Sequence, residues 1–431
     1  MKRALPKRET LPALLEQALP PSLKEVVKLI GRIAEENQAS AFLVGGFVRD
    51  LILGLPNEDL DIVLVGNAVE LAQKTARECG AKVTVHENFQ TATLTWDRHH
   101  IDLAMARKEN YPTPAALPVI EPASILADLE RRDFTINTLL LRLETGHFGE
   151  LFDVNDGWED LAQGRLRILH DKSFIDDPTR IFRAVRFAVR FDFHLEERTL
   201  TLLYRAIADG YLERLAGSRI WKELALVFRE PDPAAVLEDL AELSVLTAID
   251  RALVLPLNVL TALPRFQPVA DNFGENQPDL MISWWTVLVA HLKTSQRQSL
   301  AGRLELPENV ARASLEYPEH IDRLVARLLK AQSAGPARMA ALLRDEPVEV
   351  LFLVSLLSEN KAVVEIVEKY LKDWSRVKPL ISGHDLQKMG IPRGPLYREI
   401  IDAMRDARLN GQVETKEDEL VLAEKFWQAN S

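Results

Sequence analysis

The chain has 431 residues, of which 47% are hydrophobic and 27% are charged. These values are typical of folded globular proteins and exclude a disordered or fibrous chain. A single cysteine, Cys79, excludes a disulfide framework and a CxxC zinc site and indicates a reducing compartment. The net charge of −11 by itself argues against nucleic acid as a partner, although residues 161–230 hold 13 basic and 10 acidic side chains and are locally basic.

No segment of the sequence predicts export or membrane insertion. The N-terminal 21 residues begin with basic residues but contain no unbroken apolar run, so no signal peptide is predicted. The most apolar later run, residues 280–292, is too short to span a bilayer. We predict a soluble, cytoplasmic protein whose oligomeric state the sequence leaves open.

The first third of the chain alternates between helical and strand patterns. Helices are predicted at 22–37, 48–53 and 68–78, and strands at 41–44, 60–65, 82–86, 91–96 and 100–104. The connections 87–90 and 97–99 have hairpin length, so the last three strands are expected to be antiparallel. These elements predict a small α/β domain with a mixed sheet.

The remainder of the chain is predicted to be helical. Residues 108–122 contain four prolines and are predicted to form a loop, and from about residue 155 onwards nearly every segment has helical periodicity. The predicted fold class is therefore α+β, with an α/β head (1–153) followed by an all-α neck (154–235), body (236–330) and tail (331–431).

The stretch LVGGFVRDLILGLPNEDLDIVLVG, residues 43–66, is the most informative for chemistry. Gly45 and Gly46 lie between a strand and a helix, where bare amides can hold phosphate oxygens, although such pairs are often only tight turns. Asp59 and Asp61 are two apart at the start of a strand and face the same side, an arrangement that Mg²⁺ would neutralise. Solvated turn residues are the alternative.

A third carboxylate could complete this site. Asp102 lies in the predicted strand IDLAMA and would join the pair if the two strands are adjacent. Three carboxylates around two Mg²⁺ ions suit the attack of a hydroxyl on the α-phosphate of a nucleoside triphosphate.

Several motifs in this order resemble one family. GGFVRD…DLDIVLVG, IDLAMARKENY, DLERRDFTINTL and DDPTRIFRAVRFAVRF resemble successive motifs of the class II tRNA nucleotidyltransferases, the CCA-adding enzymes and their poly(A) polymerase relatives. The resemblance covers roughly residues 25–230, with a weaker one near residues 380–404. It implies a nucleotidyltransferase head, Mg²⁺ as cofactor, and tRNA, CTP and ATP as partners, with the tail binding tRNA.

The resemblance also implies roles for individual residues. Asp59 and Asp61 would be metal ligands and Asp102 a third catalytic carboxylate. The triphosphate would be bound by Gly45, Gly46 and Arg49, and its ribose and phosphates by Arg131, Arg132, Asp133 and Asn137. Two structural alternatives stay open, namely an Arg132–Asp133 ion pair and a turn cap at Asn137.

The segment DDPTRIFRAVRF predicts how the base is chosen. Asp177 is the expected N-cap of a helix with Pro178 in its first turn, and Arg180 is its neighbour on the helix surface. A carboxylate and a guanidinium together match the amino group and ring nitrogen that cytosine and adenine share, and leave uracil and guanine mispaired. The alternative is a simple cap with a surface ion pair. The family usually has Glu-Asp here, whereas this chain has Asp176-Asp177.

Four arginines follow one helical stripe. They are spaced three or four apart and, beside a nucleotide pocket, are expected to face triphosphate and RNA backbone, at positions Arg180, Arg183, Arg186 and Arg190. The alternative is a solvated charged face, which would need acidic neighbours. Arg219 and Glu223 in GSRIWKEL are interpreted as structural. His384-Asp385 is typical of metal phosphohydrolases, but Asp385 is better explained as a helix N-cap.

The predicted activity is full CCA addition from CTP and ATP. In the resembling family a flexible segment between the first two motifs switches from C to A. Here residues 108–121 occupy that place, which disfavours CC-only addition, while their prolines leave A-only addition open. Poly(A) polymerase is disfavoured because the chain ends in LVLAEKFWQANS rather than in a basic extension. A non-catalytic RNA- or nucleotide-binding protein is the alternative from another class.

Overall fold

The computed structural model describes residues 3–86, 90–96 and 99–430. Within that range the chain divides into two compact units, one of residues 1–232 with 242–249 and the other of 233–241 with 250–431. The two predicted hairpin connections at 87–90 and 97–99 lie largely outside the described residues. No described helix is long and apolar enough to cross a membrane.

The first unit contains all the described strands. Its strands are β1 (Ser40–Val44), β2 (Leu60–Val65), β3 (Lys82–His86), β4 (Thr91–Trp96), β5 (His99–Met105), β6 (Arg107–Asn110), β7 (Val119–Pro122), β8 (Leu140–Arg142), β9 (Leu151–Phe152), β10 (Arg165–Leu166) and β11 (His194–Leu195). Seven of them form one sheet in the order β3-β4-β5-β2-β1-β8-β9. Within the described part of this sheet β2 and β5 are the one parallel pair, so the predicted mixed sheet and its antiparallel β3-β4-β5 ribbon are confirmed.

The helices of the first unit surround this sheet and then continue the chain. They are α1 (Leu11–Ala18), α2 (Pro21–Glu36), α3 (Gly46–Leu53), α4 (Ala68–Cys79), α5 (Ile125–Glu130), α6 (Gly157–Gln163), α7 (Ser173–Asp176), α8 (Thr179–Phe191), α9 (Glu197–Ala208), α10 (Gly217–Val227) and α12 (Val245–Ile249). Helix α11 (Pro233–Glu242) comes between α10 and α12 in the chain, but all of its residues except Glu242 belong to the second unit. The helical region predicted from residue 155 is confirmed, apart from the short strands β10 and β11.

Strand periodicity gives the sheet two different faces. Every second residue of a strand points to the same face of the sheet. One face is buried and includes Ile62, Leu94 and Leu103, which are at most 1% exposed. Helices α2 and α4 pack against the sheet. The other face carries Asp61 and Asp102, and beside them it is covered by a cluster formed by Phe42, Val44, Val63, Ala106, Leu129 and Leu140. The two carboxylate residues are exposed and lie beside this hydrophobic cluster.

The predicted proline-rich loop is wrong over much of its length. Residues 107–110 and 119–122 pair as the antiparallel strands β6 and β7, and Lys108 forms a cross-strand ion pair with Glu121 at 2.8 Å. Pro122 ends strand β7, and the other three prolines lie in the connection between the strands, where a missing N–H costs no ladder hydrogen bond. We call residues 107–122 the β6–β7 hairpin.

The second unit is helical throughout its described residues. Its helices are α13 (Leu257–Ala262), α14 (Phe266–Asp271), α15 (Leu280–Val289), α16 (Thr294–Arg303), α17 (Glu308–Ala331), α18 (Pro336–Leu343), α19 (Val348–Leu357), α20 (Lys361–Lys372), α21 (Gly383–Lys388), α22 (Pro395–Leu409) and α23 (Lys416–Asn430). Phe266 stacks on Trp284 and meets Phe352 edge-on in its core. The predicted α+β class, with a mixed-sheet head and a helical remainder, is confirmed.

Candidate functional site

Most of the predicted site residues line one cavity of about 580 Å³ in the first unit. The turn between β1 and α3, strand β2, the residues after α5, and helix α8 supply its walls. The predicted residues found there are Gly45, Gly46, Arg49, Asp61, Arg131, Arg132, Asp133, Asn137, Asp177, Arg180, Arg183 and Arg186. We call this space the arginine cavity, because seven arginines line it.

A smaller cavity of about 390 Å³ adjoins it. Asp102 lines this second space, together with side chains of β3 and β4. Asp61, Arg131 and Arg132 line both cavities and form the boundary between them.

Asp61 and Asp102 lie side by side. They are register partners on the parallel strands β2 and β5, so their side chains leave the sheet on the same face. Burial, and then the charge of Asp102, raise the pKa of the Asp61 carboxyl. The positive charge of Arg132 lowers that pKa in part. Two adjacent carboxylates whose negative charge is only partly neutralised by neighbouring cations suit a hard cation such as Mg²⁺.

Asp59 is placed differently from its predicted partner. It precedes strand β2, its side chain is 84% exposed, and its Oδ1 lies 3.5 Å from His100 Nε2. Among the residues that the structure describes, no group of three His, Cys, Asp or Glu side chains is close enough together to hold a metal ion. The structure thus assembles the Asp61–Asp102 pair without bringing Asp59 into a three-ligand cluster.

The glycine turn is built for close approach to this pair. Gly45 has φ +75°, a conformation that side chains rarely adopt, and a Cβ there would lie 3.6 Å from Asp61 Oδ2 and 3.9 Å from Arg132 Nη1. Helix α3 begins at Gly46, two residues earlier than predicted. The N-terminus of α3 therefore opens into the arginine cavity with no side chain in front of it.

The guanidinium of Arg49, predicted to contact the triphosphate, is held in place by several protein groups. Arg49 is 4% exposed, its Nε donates to Asp50 Oδ1 at 2.8 Å, and its Nη1 donates to Asn137 Oδ1 at 2.8 Å. Its guanidinium also lies 4.5 Å from the ring centre of Phe191. Burial lowers the pKa of Arg49. These contacts fix the guanidinium at the cavity wall.

Arg131 and Arg132 are both oriented by the buried residue Asp128. Arg131 Nε donates to Asp128 Oδ1 at 2.9 Å and Arg132 Nη2 donates to Asp128 Oδ2 at 2.9 Å. Burial opposes ionisation of Asp128, but the two guanidinium groups hold its pKa below its usual value. The alternative of an Arg132–Asp133 ion pair is wrong, because Asp128 takes Arg132 and Arg183 takes Asp133.

Asp133 connects three elements. Its carboxylate accepts from Arg183 Nε at 2.7 Å, Asn137 Nδ2 at 2.9 Å and the Phe134 amide at 2.8 Å. Although burial opposes its ionisation, these donors lower the pKa of Asp133 to about 2. Asn137 therefore joins Asp133 to Arg49, which is more than the turn cap considered as its alternative.

The predicted base-reading pair does not form a direct ion pair. Asp177 pairs with Arg219 Nη2 at 2.8 Å, whereas Arg180 is 5% exposed and donates to Ser173 Oγ at 2.7 Å and to the Arg131 carbonyl. Pro178, with φ −64° and ψ −13°, is the N-cap of α8, so Asp177 lies one residue before it. The Asp177 carboxylate nevertheless accepts from the Thr179 amide at 3.1 Å.

The arginine stripe on α8 has carboxylate partners. Arg183 pairs with Asp133, and Arg186 and Arg190 both pair with Glu230, a residue that is 6% exposed. The acidic neighbours that the alternative of a charged face requires are therefore present for three of the four arginines. All four arginines also line the cavity, and the carboxylate partners restrain three of them.

Sequence reasoning missed two residues of the β6–β7 hairpin that line the arginine cavity. The Glu109 carboxylate accepts from Arg107 Nη2 at 3.1 Å, Arg131 Nη1 at 3.0 Å and the Tyr111 hydroxyl at 2.8 Å. Burial and then the charge of Glu109 raise the pKa of Tyr111. The spacing of two between residues 107, 109 and 111 is typical of one face of a strand and could have identified them. The segment was predicted to be a loop, so this spacing was not used.

The His384-Asp385 pair has a structural explanation, although not the predicted one. Ser382 is the N-cap of α21, and Asp385 is the third residue of the helix. The Asp385 carboxylate accepts from the Ser382 amide at 2.8 Å and from Lys416 Nζ at 2.8 Å. The dipeptide thus belongs to a capping box.

The geometry of the first unit agrees with known proteins. Residues 41–167 match the family model described as the Poly A polymerase head domain. The A-adding tRNA nucleotidyltransferase of Halalkalibacterium halodurans is 33% identical over 408 residues, which cover 94% of this chain and 92% of that protein. The chain belongs to the class II tRNA nucleotidyltransferase family. It is therefore related to enzymes along nearly its whole length.

Two other relatives of the nucleotidyltransferase differ in coverage. The A-adding tRNA nucleotidyltransferase of Geobacter sulfurreducens is 33% identical over 97% of this chain, and the chain spans 48% of that protein's length. The CC-adding tRNA nucleotidyltransferase of Deinococcus radiodurans is 41% identical over 44% of this chain and 50% of that protein.

Solved structures give the same family. A CCA-adding enzyme in an apo form has a TM-score of 0.80 at 32% identity and covers 96% of this chain and 98% of its own. The Thermotoga maritima CCA-adding enzyme complexed with tRNA-CCA has a TM-score of 0.78 at 30% identity, with coverage of 96% and 98%. The nucleotidyltransferase therefore has the fold of these enzymes, as the motif order predicted.

Proposed function

We propose that this nucleotidyltransferase adds AMP from ATP to the 3′ end of tRNA that already ends in CC. The proposed specificity for A is supported by one observation. The β6–β7 hairpin is linked by hydrogen bonds to both residues expected to recognise the base, Asp177 and Arg180. The whole-length relatives that are named A-adding support the same specificity.

The first link from the hairpin leads to Arg180. Tyr111 donates to Glu109, Glu109 accepts from Arg131, and the Arg131 carbonyl accepts from Arg180. The side chain of Glu109 is only 8% exposed, so this link lies in a low-dielectric environment where hydrogen bonds to charged groups are strong.

The second link leads to Asp177. Arg219 Nη1 donates to the Ala115 carbonyl of the hairpin at 3.0 Å, and its Nη2 donates to Asp177 Oδ1 at 2.8 Å. The Ala115 amide in turn donates to the Ile175 carbonyl at 3.3 Å. A hairpin held at both places presents Asp177 and Arg180 in one arrangement, which suits one base better than a switch between two.

The proposed reaction is an in-line transfer at phosphorus. The 3′ oxygen of the RNA bonds to the α-phosphorus of ATP and its hydroxyl proton is released. The bond from that phosphorus to the oxygen bridging to the β-phosphate breaks, and pyrophosphate leaves with the electron pair. The arginines of the cavity and the amides at the start of α3 would hold the triphosphate and its departing charge.

Asp61 and Asp102 would hold Mg²⁺, since the two carboxylates lie side by side on one face of the sheet and a cation between them relieves their repulsion. When bound, the ion supplies Lewis-acid stabilisation of the charge that develops on the phosphate oxygens. Asp59, exposed beside the pair, is proposed as an outer ligand.

Full CCA addition is the second candidate. It is favoured by the CCA-adding structures, which match this chain over 96% of its length at a TM-score of up to 0.80. It requires that the hairpin release Asp177 and Arg180 between the C and A steps, so it predicts different behaviour when the hairpin links are cut. We place either activity in the cytoplasm. We also propose that the helical second unit binds the tRNA beyond its acceptor end. The division into head, neck, body and tail after residues 153, 235 and 330 is part of this proposal.

Three tRNA substrates distinguish the candidates. They end at the discriminator base, at C74 or at C75 (tRNA positions), and are incubated with Mg²⁺ and each nucleoside triphosphate singly and with CTP and ATP together. A single A added only to the C75-ending tRNA supports the proposal. Three additions to the shortest tRNA would establish full CCA addition instead, and unlimited A would indicate a poly(A) polymerase. If no nucleotide is added to any of the three substrates, the alternative of a non-catalytic RNA- or nucleotide-binding protein is favoured.

Asp61→Asn and Asp102→Asn serve as the matched loss-of-function controls. Each removes one negative charge while keeping the size of the side chain, and each is expected to reduce transfer by at least about 1,000-fold. Glu58→Gln, a nearby exposed substitution, is expected to change the rate less than twofold.

A further inference from the structure

The second cavity contains side chains that no motif identified. Beyond the boundary residues it is lined by His86 at the end of β3, Thr91 and Thr93 on β4, and Arg107 at the start of the β6–β7 hairpin. Its volume of about 390 Å³ lies within the range of ~300–1,000 Å³ found for small-molecule sites.

The strand register brings these side chains to the carboxylate face. Thr93 is opposite Asp102, which is opposite Asp61, so all three leave the same face of the sheet. Thr91 is opposite both His86 and Ala104, one row further along that face. The sheet thus presents hydroxyl and imidazole groups beside the carboxylates.

Thr93 and Thr91 have different partners. Thr93 Oγ1 donates to Asp102 Oδ1 at 2.5 Å, which orients that carboxylate. Thr93 is therefore a positioning residue for Asp102. Thr91, two residues earlier on β4, lies on the cavity wall beside His86 and can offer its hydroxyl to a ligand.

Arg107 is the third arginine of this cavity, beside the boundary residues Arg131 and Arg132. Its side chain is 19% exposed and its Nη2 lies 3.1 Å from Glu109 Oε1, but its buried Nε has no hydrogen-bond partner within the described residues. A buried donor without a partner is costly, so it indicates a group that the site acquires from a ligand.

In-line transfer requires two sites on opposite sides of the phosphorus. The arginine cavity, with its seven arginines, suits the highly charged triphosphate. The second cavity reaches the same carboxylate, Asp61, and has three arginines instead of seven, together with hydroxyl and imidazole groups. This lower positive charge suits a single nucleotide that carries one phosphate. The two cavities therefore match the two substrates by charge.

We propose that the second cavity binds the 3′-terminal nucleotide of the acceptor RNA, with His86 and Thr91 contacting its sugar or base and Arg107 contacting its phosphate. This inference rests on the proposed function, since it assigns a place to the RNA end that the reaction consumes. It makes His86 and Thr91 determinants of RNA affinity and leaves ATP affinity to the arginine cavity.

Crosslinking tests the placement without requiring activity. A tRNA acceptor minihelix that ends in CC, with 2-thiocytidine as its last base, is irradiated with the full-length protein and digested with trypsin. The expected crosslink is to the peptide of residues 83–98. Crosslinks to peptides of α8, or none above those of a minihelix that carries the thio base within its stem, would overturn the proposal whether or not the wild-type protein transfers nucleotides.

Steady-state kinetics provides the second test. His86→Ala and Thr91→Val are each expected to raise KM for the CC-ending minihelix about five- to tenfold, the effect of losing one hydrogen bond, while KM for ATP stays within twofold. Thr95→Val, an exposed change on the same strand outside the cavity, is the matched control and should behave as wild type. A parallel rise in KM for ATP, or an unchanged KM for the minihelix in both variants, would overturn the assignment. Absence of any transfer by the wild type would instead count against the proposed function alone.

Discussion

Replacing Asp133 by asparagine tests whether its ion pair with Arg183 joins helix α8 to the rest of the cavity. Asp133 is 7% exposed and accepts three hydrogen bonds, from Arg183, Asn137 and the Phe134 amide. The amide of asparagine keeps the shape of the side chain but removes its charge. The Arg183 guanidinium would then lose its only carboxylate partner among the contacts seen in the described residues.

The magnitude follows from the lowered pKa of Asp133. A fall from 3.8 to about 2 corresponds to roughly 2 kcal/mol of stability, at 1.36 kcal/mol per pKa unit. Breaking a buried ion pair typically costs about 3–5 kcal/mol. Because the Arg183 side chain is 36% exposed and water can solvate it in part, we expect a loss of about 2–3 kcal/mol at pH 7.

Hydrogen exchange of the α8 amides measures this loss within the first unit, with Asp133→Asn, Arg183→Gln and the double variant forming a cycle. The coupling should be constant from pH 8 to pH 5. It is lost only as the pH falls through the pKa of about 2 of the folded protein, because a lowered pKa stabilises the fold above the unfolded value of 3.8. As a control, Arg198→Gln at the exposed Arg198–Asp171 pair should cost under about 0.5 kcal/mol. A coupling below about 1 kcal/mol, or one that declines between pH 7 and pH 5, would refute the reasoning.

Three further substitutions have defined outcomes. Arg219→Ala frees Asp177 from its partner and is expected to reduce the preference for ATP over UTP about tenfold in single-nucleotide extension assays; an unchanged preference would mean that Arg219 acts only in folding. Glu230→Gln removes the carboxylate shared by two arginines of α8, and urea unfolding should show a loss of about 2–4 kcal/mol, whereas a neutral result would show that solvent replaces it. Glu419→Gln, at a fully buried carboxylate that accepts from the Leu380 and Ile381 amides, should destabilise the peptides of α22 and α23 in hydrogen exchange by about 1–3 kcal/mol; unchanged protection there would contradict it.

The sequence by itself determined the first five strands, the glycine turn and the candidate carboxylates. Apolar runs of strand length and hairpin-length connections were enough for β1 to β5, because alternation and turn length are local properties. The prediction that Asp102 joins Asp61 needed one assumption, that their strands are adjacent, and the parallel β2–β5 register supplies it. Motif order then gave the family, because several motifs in sequence are far more specific than any one of them.

Partner choice among the charged side chains was decided only by the tertiary structure. Arg219, interpreted as structural from its motif, pairs with Asp177 and also reaches the β6–β7 hairpin. The stripe on α8 meets Asp133 and Glu230, which are 50 and 44 residues from Arg183 and Arg186. The acidic net charge by itself argued against a nucleic-acid partner, yet the fold brings seven arginines from separate segments to one cavity. The physical reason is that a salt bridge depends on distances of a few ångströms between residues far apart in the chain, which helix and strand periodicity do not encode.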